Sequence, residues 1–107
     1  MRQNQNRSWR LTPAAVRDLE GIWSFTAERW SVSQADQYLK SLIVAIESLL
    51  QNPAIARERV EFVPPVRIHT CRSHVSIFRD EGDHLNVIRV RHGSEDWASD
   101  PDVADRN

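Results

Sequence analysis

Between Arg67 and Arg79 the sequence reads RIHTCRSHVSIFR, placing His69, Cys71 and His74 within six positions and surrounding them with Arg67, Arg72 and Arg79. Three chemistries use such residues. Imidazole and thiolate ligands bind zinc, with His92 available as a further donor. A cysteine beside a histidine base is a nucleophile, and nearby arginines favour its thiolate. Histidines among arginines suit phosphodiester cleavage by 2′-hydroxyl attack, which needs a general base, a general acid and cations facing the transition state.

Each chemistry meets an objection in the same residues. In an extended chain His69 and Cys71 share a face, and His74 lies on the other unless the chain bends near Ser73. Interleaved arginines also repel a cation, so no metal is expected; no other cofactor is expected of the chain either. A hydrolase requires an oxyanion hole, and no glycine-rich loop lies near Cys71. A lone cysteine on a strand reads more simply as a small apolar residue. The cleavage reading has suitable cations in Arg67, Arg72, Arg79, Arg89 and Arg91, yet nothing fixes their geometry and no exposed Tyr or Phe is evidently placed to stack on a base. Phe78 falls within an apolar strand, and Tyr38, the only tyrosine, falls on a helix. What remains is charge on a surface.

That charge is unevenly distributed. The chain of 107 residues carries a net charge of −1, which argues against general nucleic-acid binding. Lys40 is the only lysine, so thirteen of the fourteen cations are arginine. Residues 67–79 and 84–92 contain five of those arginines and all four histidines, whereas Glu95, Asp96, Asp100, Asp102 and Asp105 follow. A basic patch on a near-neutral protein points to one localised partner surface. The length fits one domain, 1–107, with its core at about 8–97 and flexible ends. No apolar run approaches a membrane span, Met1 to Asn6 lacks the apolar stretch of a secretion signal, and a single cysteine suits a reducing cytoplasm.

The elements that position these residues follow from periodicity. SWRLT (8–12) alternates like a half-buried strand, and Thr12 followed by Pro13 reads as an N-cap and first helical residue. Ala15, Leu19, Ile22, Trp23, Thr26 and Trp30 form a helical stripe that makes Trp23 and Trp30 core residues. Ser33 with Asp36 resembles a capping box for a second helix, whose stripe is Ala35, Leu39, Leu42, Ile43, Ile46, Leu49 and Leu50. That helix stops before Pro53. Residues 53–65 read as a loop. VRIHT, HVSIFR and HLNVIRVRH read as strands, with a turn at 81–83. In the last strand Leu85 and Val87 share one face and Ile88 and Val90 the other, as in a central strand. DVADRN (102–107) reads as a frayed end. The expected order is β-α-α-β-β-β: an α+β fold with a helical hairpin on one face of a small, mainly antiparallel sheet.

In this order the sequence resembles a known family. Residues 11–53, LTPAAVRDLEGIWSFTAERWSVSQADQYLKSLIVAIESLLQNP, are similar to the helical hairpin of the ParE toxins, in the RelE/ParE superfamily of bacterial toxin–antitoxin modules. RIHTCRSHVSIFRDEGDHLNVIRVRHGSEDW resembles their sheet, with its R-S-H-x-x-x-F/Y-R strand and terminal R-V-x-H-G-x-x-D-W. The resemblance implies a cytoplasmic, non-enzymatic toxin that blocks DNA gyrase by protein contact. It also implies neutralisation by a ParD-like antitoxin, to which the hairpin offers an apolar groove. Arg67, Arg72, Arg79, Arg89, Arg91 and His92 would form the basic contact surface, with Trp97 at its margin and no sequence-specific nucleic-acid binding by the toxin alone. The alternative within the superfamily is a RelE-like, ribosome-dependent mRNA interferase using His74, Arg91 and His92. Against it, the sheet has no Lys, Val75 stands where that strand would carry a catalytic Arg, and Gly93 rather than an aromatic residue follows His92. Cys71 departs from the aromatic residue expected of a ParE toxin.

Overall fold

The computed structural model describes residues 8–103, so the expectations for Met1 to Asn6 and for 104–107 fall outside the described residues. Strand β1 (Ser8–Leu11) leads into helix α1 (Pro13–Arg29), which is followed at once by helix α2 (Val32–Ser48). A 3-10 turn (Pro53–Ile55) precedes the strands β2 (Arg57–Arg59), β3 (Val66–Cys71), β4 (His74–Asp80) and β5 (His84–His92), and a second 3-10 turn spans Trp97–Ser99. The strands form a five-stranded sheet in the order β1-β5-β4-β3-β2. It is mixed: β1 runs parallel to β5 and the other neighbours are antiparallel. The α+β class and the central place of the last strand match expectation. The short edge strand β2 was expected as loop, because three exposed or half-exposed residues, Arg-Glu-Arg, carry no apolar alternation.

Local chemistry starts both helices. The Thr12 side chain accepts a hydrogen bond from the Ala15 N–H, and Pro13 occupies the first turn. Thr12 also donates to the Ile88 carbonyl at 2.7 Å, tying the start of α1 to the sheet. The second helix begins two residues before the expected position. Ser31, with extended backbone, accepts from the Gln34 N–H, and Ser33 lies inside the helix. Asp36 serves another purpose: it accepts a 2.8 Å hydrogen bond from the Trp23 indole and so links the two helices. Trp23 is therefore half-buried. Trp30 is not core at all, because α1 ends at Arg29 and Trp30 leaves helical geometry (φ −125°, ψ −85°) with 67% of its surface exposed.

The sheet is covered on both faces. Against the helices lies a core of Leu19, Leu42, Ile46, Leu49, Phe78, Leu85, Val87 and Val90. On the opposite face Phe62, Val66, Val75, Ile77, Ile88 and Val103 form a second core, with Trp97 and Ala98 packed against it. The expected fraying from residue 102 is thus corrected at Val103, which is fully buried. A bulge in β5 decides which residues face which core. Ile77 pairs with Arg89 but Phe78 pairs with Val87, leaving Ile88 as the extra residue. The extra residue inverts the alternation beyond it. Val90 therefore joins Leu85 and Val87 beneath the helices, and the expected pairing of Val90 with Ile88 on one face does not occur.

Candidate functional site

The bend at Ser73 that the sequence left open is a two-residue turn between β3 and β4. Arg72 takes a left-handed conformation there (φ 55°), uncommon for a residue with a side chain. The turn brings His74 back opposite Cys71, and β5 places His92 opposite His74. Because of the bulge, His92 shares the helix face with Val90, and its ring meets that of His74 edge-on at 5.3 Å. Cys71, His74 and His92 thus form a row across three strands. His69 sits farther along β3, opposite Ser76. Among the described residues no three His, Cys, Asp or Glu side chains converge to hold a metal. The Cys71 thiol packs beside the helix-side core and points to the Ser41 carbonyl at 3.8 Å.

Tyr38 completes the group from α2. Its hydroxyl accepts from the Ser73 N–H at 3.2 Å and lies 2.7 Å from His74 Nδ1. With its oxygen occupied by that N–H, the hydroxyl can donate its proton to Nδ1, which leaves the other ring nitrogen of neutral His74 protonated. Burial pushes the His74 pKa below its ordinary 6.5; the neighbouring His92 adds to this and Glu95 opposes it. His92 Nδ1 accepts from the Ser94 N–H at 3.1 Å. The Arg72 guanidinium lies 5.9 Å from the centre of the Tyr38 ring. An open groove of about 410 Å³ runs over this group, lined by Phe25, Thr26, Trp30, Gln34, Gln37, Tyr38, Ser41, Arg72, Ser73, His74 and His92. Sequence reasoning missed Tyr38 and Trp30 as site residues. Tyr38 was detectable, since a tyrosine four residues before Leu42 on the apolar stripe needs a partner for its hydroxyl.

The expected basic surface is divided rather than continuous. Arg89 binds both carboxylate oxygens of Asp18, at 2.6 and 2.7 Å, and also reaches Asp100 and Asp102. These carboxylates raise its pKa further. Asp18 additionally accepts from the Val90 N–H, at the sheet edge that β1 leaves uncovered by stopping opposite Val87. Asp18 was also missed; an acid between Ala15 and Ile22 on the helix stripe was the available signal. Arg91 pairs with Glu95 and Asp100, and Arg91 and the His92 N–H together hold the Glu95 pKa down at about 2. Arg67 donates to the Ala56 carbonyl at 2.8 Å, and the Nε of Arg67 and of Arg79 is buried with no hydrogen-bond partner among the described residues. Trp97 lies over the second core, stacked on Phe62 at 6.4 Å, with the Arg59 guanidinium 5.6 Å from its ring centre. Of the expected contact residues, the groove gathers Arg72 and His92, with His74 from the alternative set. Arg91 borders the same region in an adjoining hollow that also contains His74 and His92. Val75, in place of a catalytic arginine, is buried in the second core.

A different surface lies along the helical hairpin. Val16, Leu19, Trp23 and Leu39 line a shallow depression of about 330 Å³ together with Glu20 and Ser24.

Comparison with known proteins agrees with this architecture. Residues 9–97 match the family model described as the ParE toxin of the type II toxin–antitoxin system parDE. Toxin ParE1 of Mycobacterium tuberculosis (strain H37Rv) is 42% identical over 83 residues, covering 77% of this chain and 85% of that protein. Toxin ParE1 of Caulobacter vibrioides is 32% identical over 88 residues, covering 82% and 91% respectively. A solved chain described as the chromosomal ParDE TA system from P. aeruginosa superposes with a TM-score of 0.69 at 22% identity, covering 80% of this chain and 95% of that one, which supports the fold. The chain belongs to the ParE toxin family of type II toxin–antitoxin systems.

Proposed function

We propose that this toxin acts in the cytoplasm by binding DNA gyrase through its surface, without bond-breaking chemistry of its own, and that a ParD-like antitoxin neutralises it. The observation that favours contact over catalysis is the state of the arginines. Arg89 is engaged by three carboxylates and Arg91 by two, so neither presents an unneutralised charge to a phosphorane-like transition state. The alternative nuclease set of His74, Arg91 and His92 has its two imidazoles in contact but its arginine committed elsewhere. The apolar depression on the hairpin suits the aliphatic face of an antitoxin segment. Within this reading Arg67, Arg72 and Arg79 supply charge at the contact surface and His92 a polar ring, with Trp97 at its margin.

Purified toxin is expected to inhibit supercoiling by gyrase, and an excess of the cognate antitoxin is expected to restore it. Normal supercoiling at excess toxin would rule the gyrase reading out. Primer extension on translated mRNA after induction separates the alternative: codon-phased cuts would establish the interferase.

A further inference from the structure

The groove over Tyr38, His74 and His92 differs in kind from the depression on the hairpin. Among the described residues its lining contains no aliphatic side chain and no carboxylate. It offers three aromatic rings, side-chain amides and hydroxyls, one arginine and two histidines. Phe25 and Trp30 are large apolar side chains left 60% and 67% exposed at its rim. Arg29 extends the positive charge to that rim, with its guanidinium 5.5 Å from the centre of the Phe25 ring. At the other end the planar Arg72 guanidinium is held beside Tyr38. The aliphatic face of an amphipathic helix finds no matching aliphatic contact among these residues. Aromatic faces and an arginine plane for stacking, amides for base edges and cations for phosphates are the set that holds an unpaired nucleic-acid strand.

We propose that this groove binds a short stretch of single-stranded nucleic acid, independent of sequence, with bases stacked on Trp30 and Phe25 and phosphates facing Arg72 and Arg29. The sequence showed one cation of such a site, Arg72, but no stacking platform. The tertiary structure supplies one, by ending α1 at Arg29 and turning Trp30 outward beside the β3–β4 turn. The groove has the volume for about one or two nucleotides, so the expected binding is modest and electrostatically assisted. Two phosphate contacts correspond to a salt slope of about −1.4, or roughly a sevenfold loss of affinity between about 50 and 200 mM salt.

The test uses the full chain with fluorescently labelled oligo-dT and oligo-U of ten nucleotides, read by anisotropy and by quenching of tryptophan emission. Both oligomers are expected to bind and to quench. Trp30→Ala and Arg72→Asn are each expected to weaken binding about fivefold or more, whereas Trp30→Phe retains most of it. Asparagine tolerates the left-handed backbone at position 72, and Trp30 is exposed, so unchanged melting temperatures confirm that the variants are folded. Three results would each overturn the proposal: no binding at about 50 mM salt, equal affinity for duplex and single strand, or displacement by polyglutamate at matched charge. The last would identify an acidic-protein surface instead. The assay contains neither gyrase nor antitoxin, so its failure leaves the supercoiling reading untouched.

Discussion

Arg89 is the side chain on which the most elements depend. It joins α1, through Asp18, to β5 and to the carboxyl-terminal segment, through Asp100 and Asp102. Replacing it by leucine leaves the largely buried Asp18 without its cation and Asp100 with Arg91 alone, so urea denaturation is expected to show a loss of about 3 kcal/mol. Arg89→Lys should recover less than half, because an ammonium cannot make the two parallel bonds of the guanidinium. Arg59, whose partner Glu61 is well exposed, should leave the urea midpoint almost unchanged when replaced by alanine, apart from any loss of stacking on Trp97. His74 gives stability a pH dependence of known sign. Its folded pKa lies below 6.5, chiefly through burial, so the unfolded chain takes up this proton first as the pH falls. The contribution is complete above about pH 6.5 and is lost as the pH falls through the folded pKa. In His74→Gln the urea midpoint should therefore decline less between about pH 7 and pH 5 than in the parent chain.

Most of the secondary elements were legible in the sequence, because each has a local cause. Thr12-Pro13 starts α1, the repeating apolar residues define both helices, and Gly82, at φ 95°, makes the β4–β5 turn. The start of α2 was misplaced, since Ser31 and Ser33 each stand three residues before a polar side chain and local pattern cannot rank them. The structure makes the distinction testable. Ser31→Ala should cost about 1 kcal/mol by removing the acceptor for the Gln34 N–H, whereas Ser33→Ala should be neutral or slightly stabilising within the helix. Thermal melting followed by circular dichroism reads both. The bulge at Ile88 was not legible. It depends on Phe78 pairing with Val87 across the sheet, and a run of alternating residues gives no sign that the register of its partner slips.

At the scale of the whole molecule, the carboxyl-terminal segment acts as the cover of the second sheet face. Trp97, Ala98 and Val103 lie over Ile77 and Ile88, and the ion pairs of Arg89 and Arg91 with Asp100 hold the segment down. A chain ending at Asp96 should therefore bind the dye ANS strongly and melt at lower temperature, while the single change Val103→Ala should cost about 1–3 kcal/mol. Unchanged dye binding by the shortened chain would mean that the second face needs no cover. The sequence by itself determined the fold class, the helical hairpin, the central last strand and the family, because these rest on periodicity, caps and ordered motifs that are local along the chain. Only the tertiary structure decided which charged and aromatic residues meet. The bulge carries His92 to the helix side beside His74, Asp18 neutralises Arg89 at an uncovered sheet edge, and the end of α1 exposes Trp30 next to Arg72. Each of these depends on pairing between residues far apart in the chain, which no window of neighbouring residues can specify. RIHTCRSHVSIFR is accordingly a hairpin whose Arg72 and His74 line a groove, while its Cys71 packs against the core.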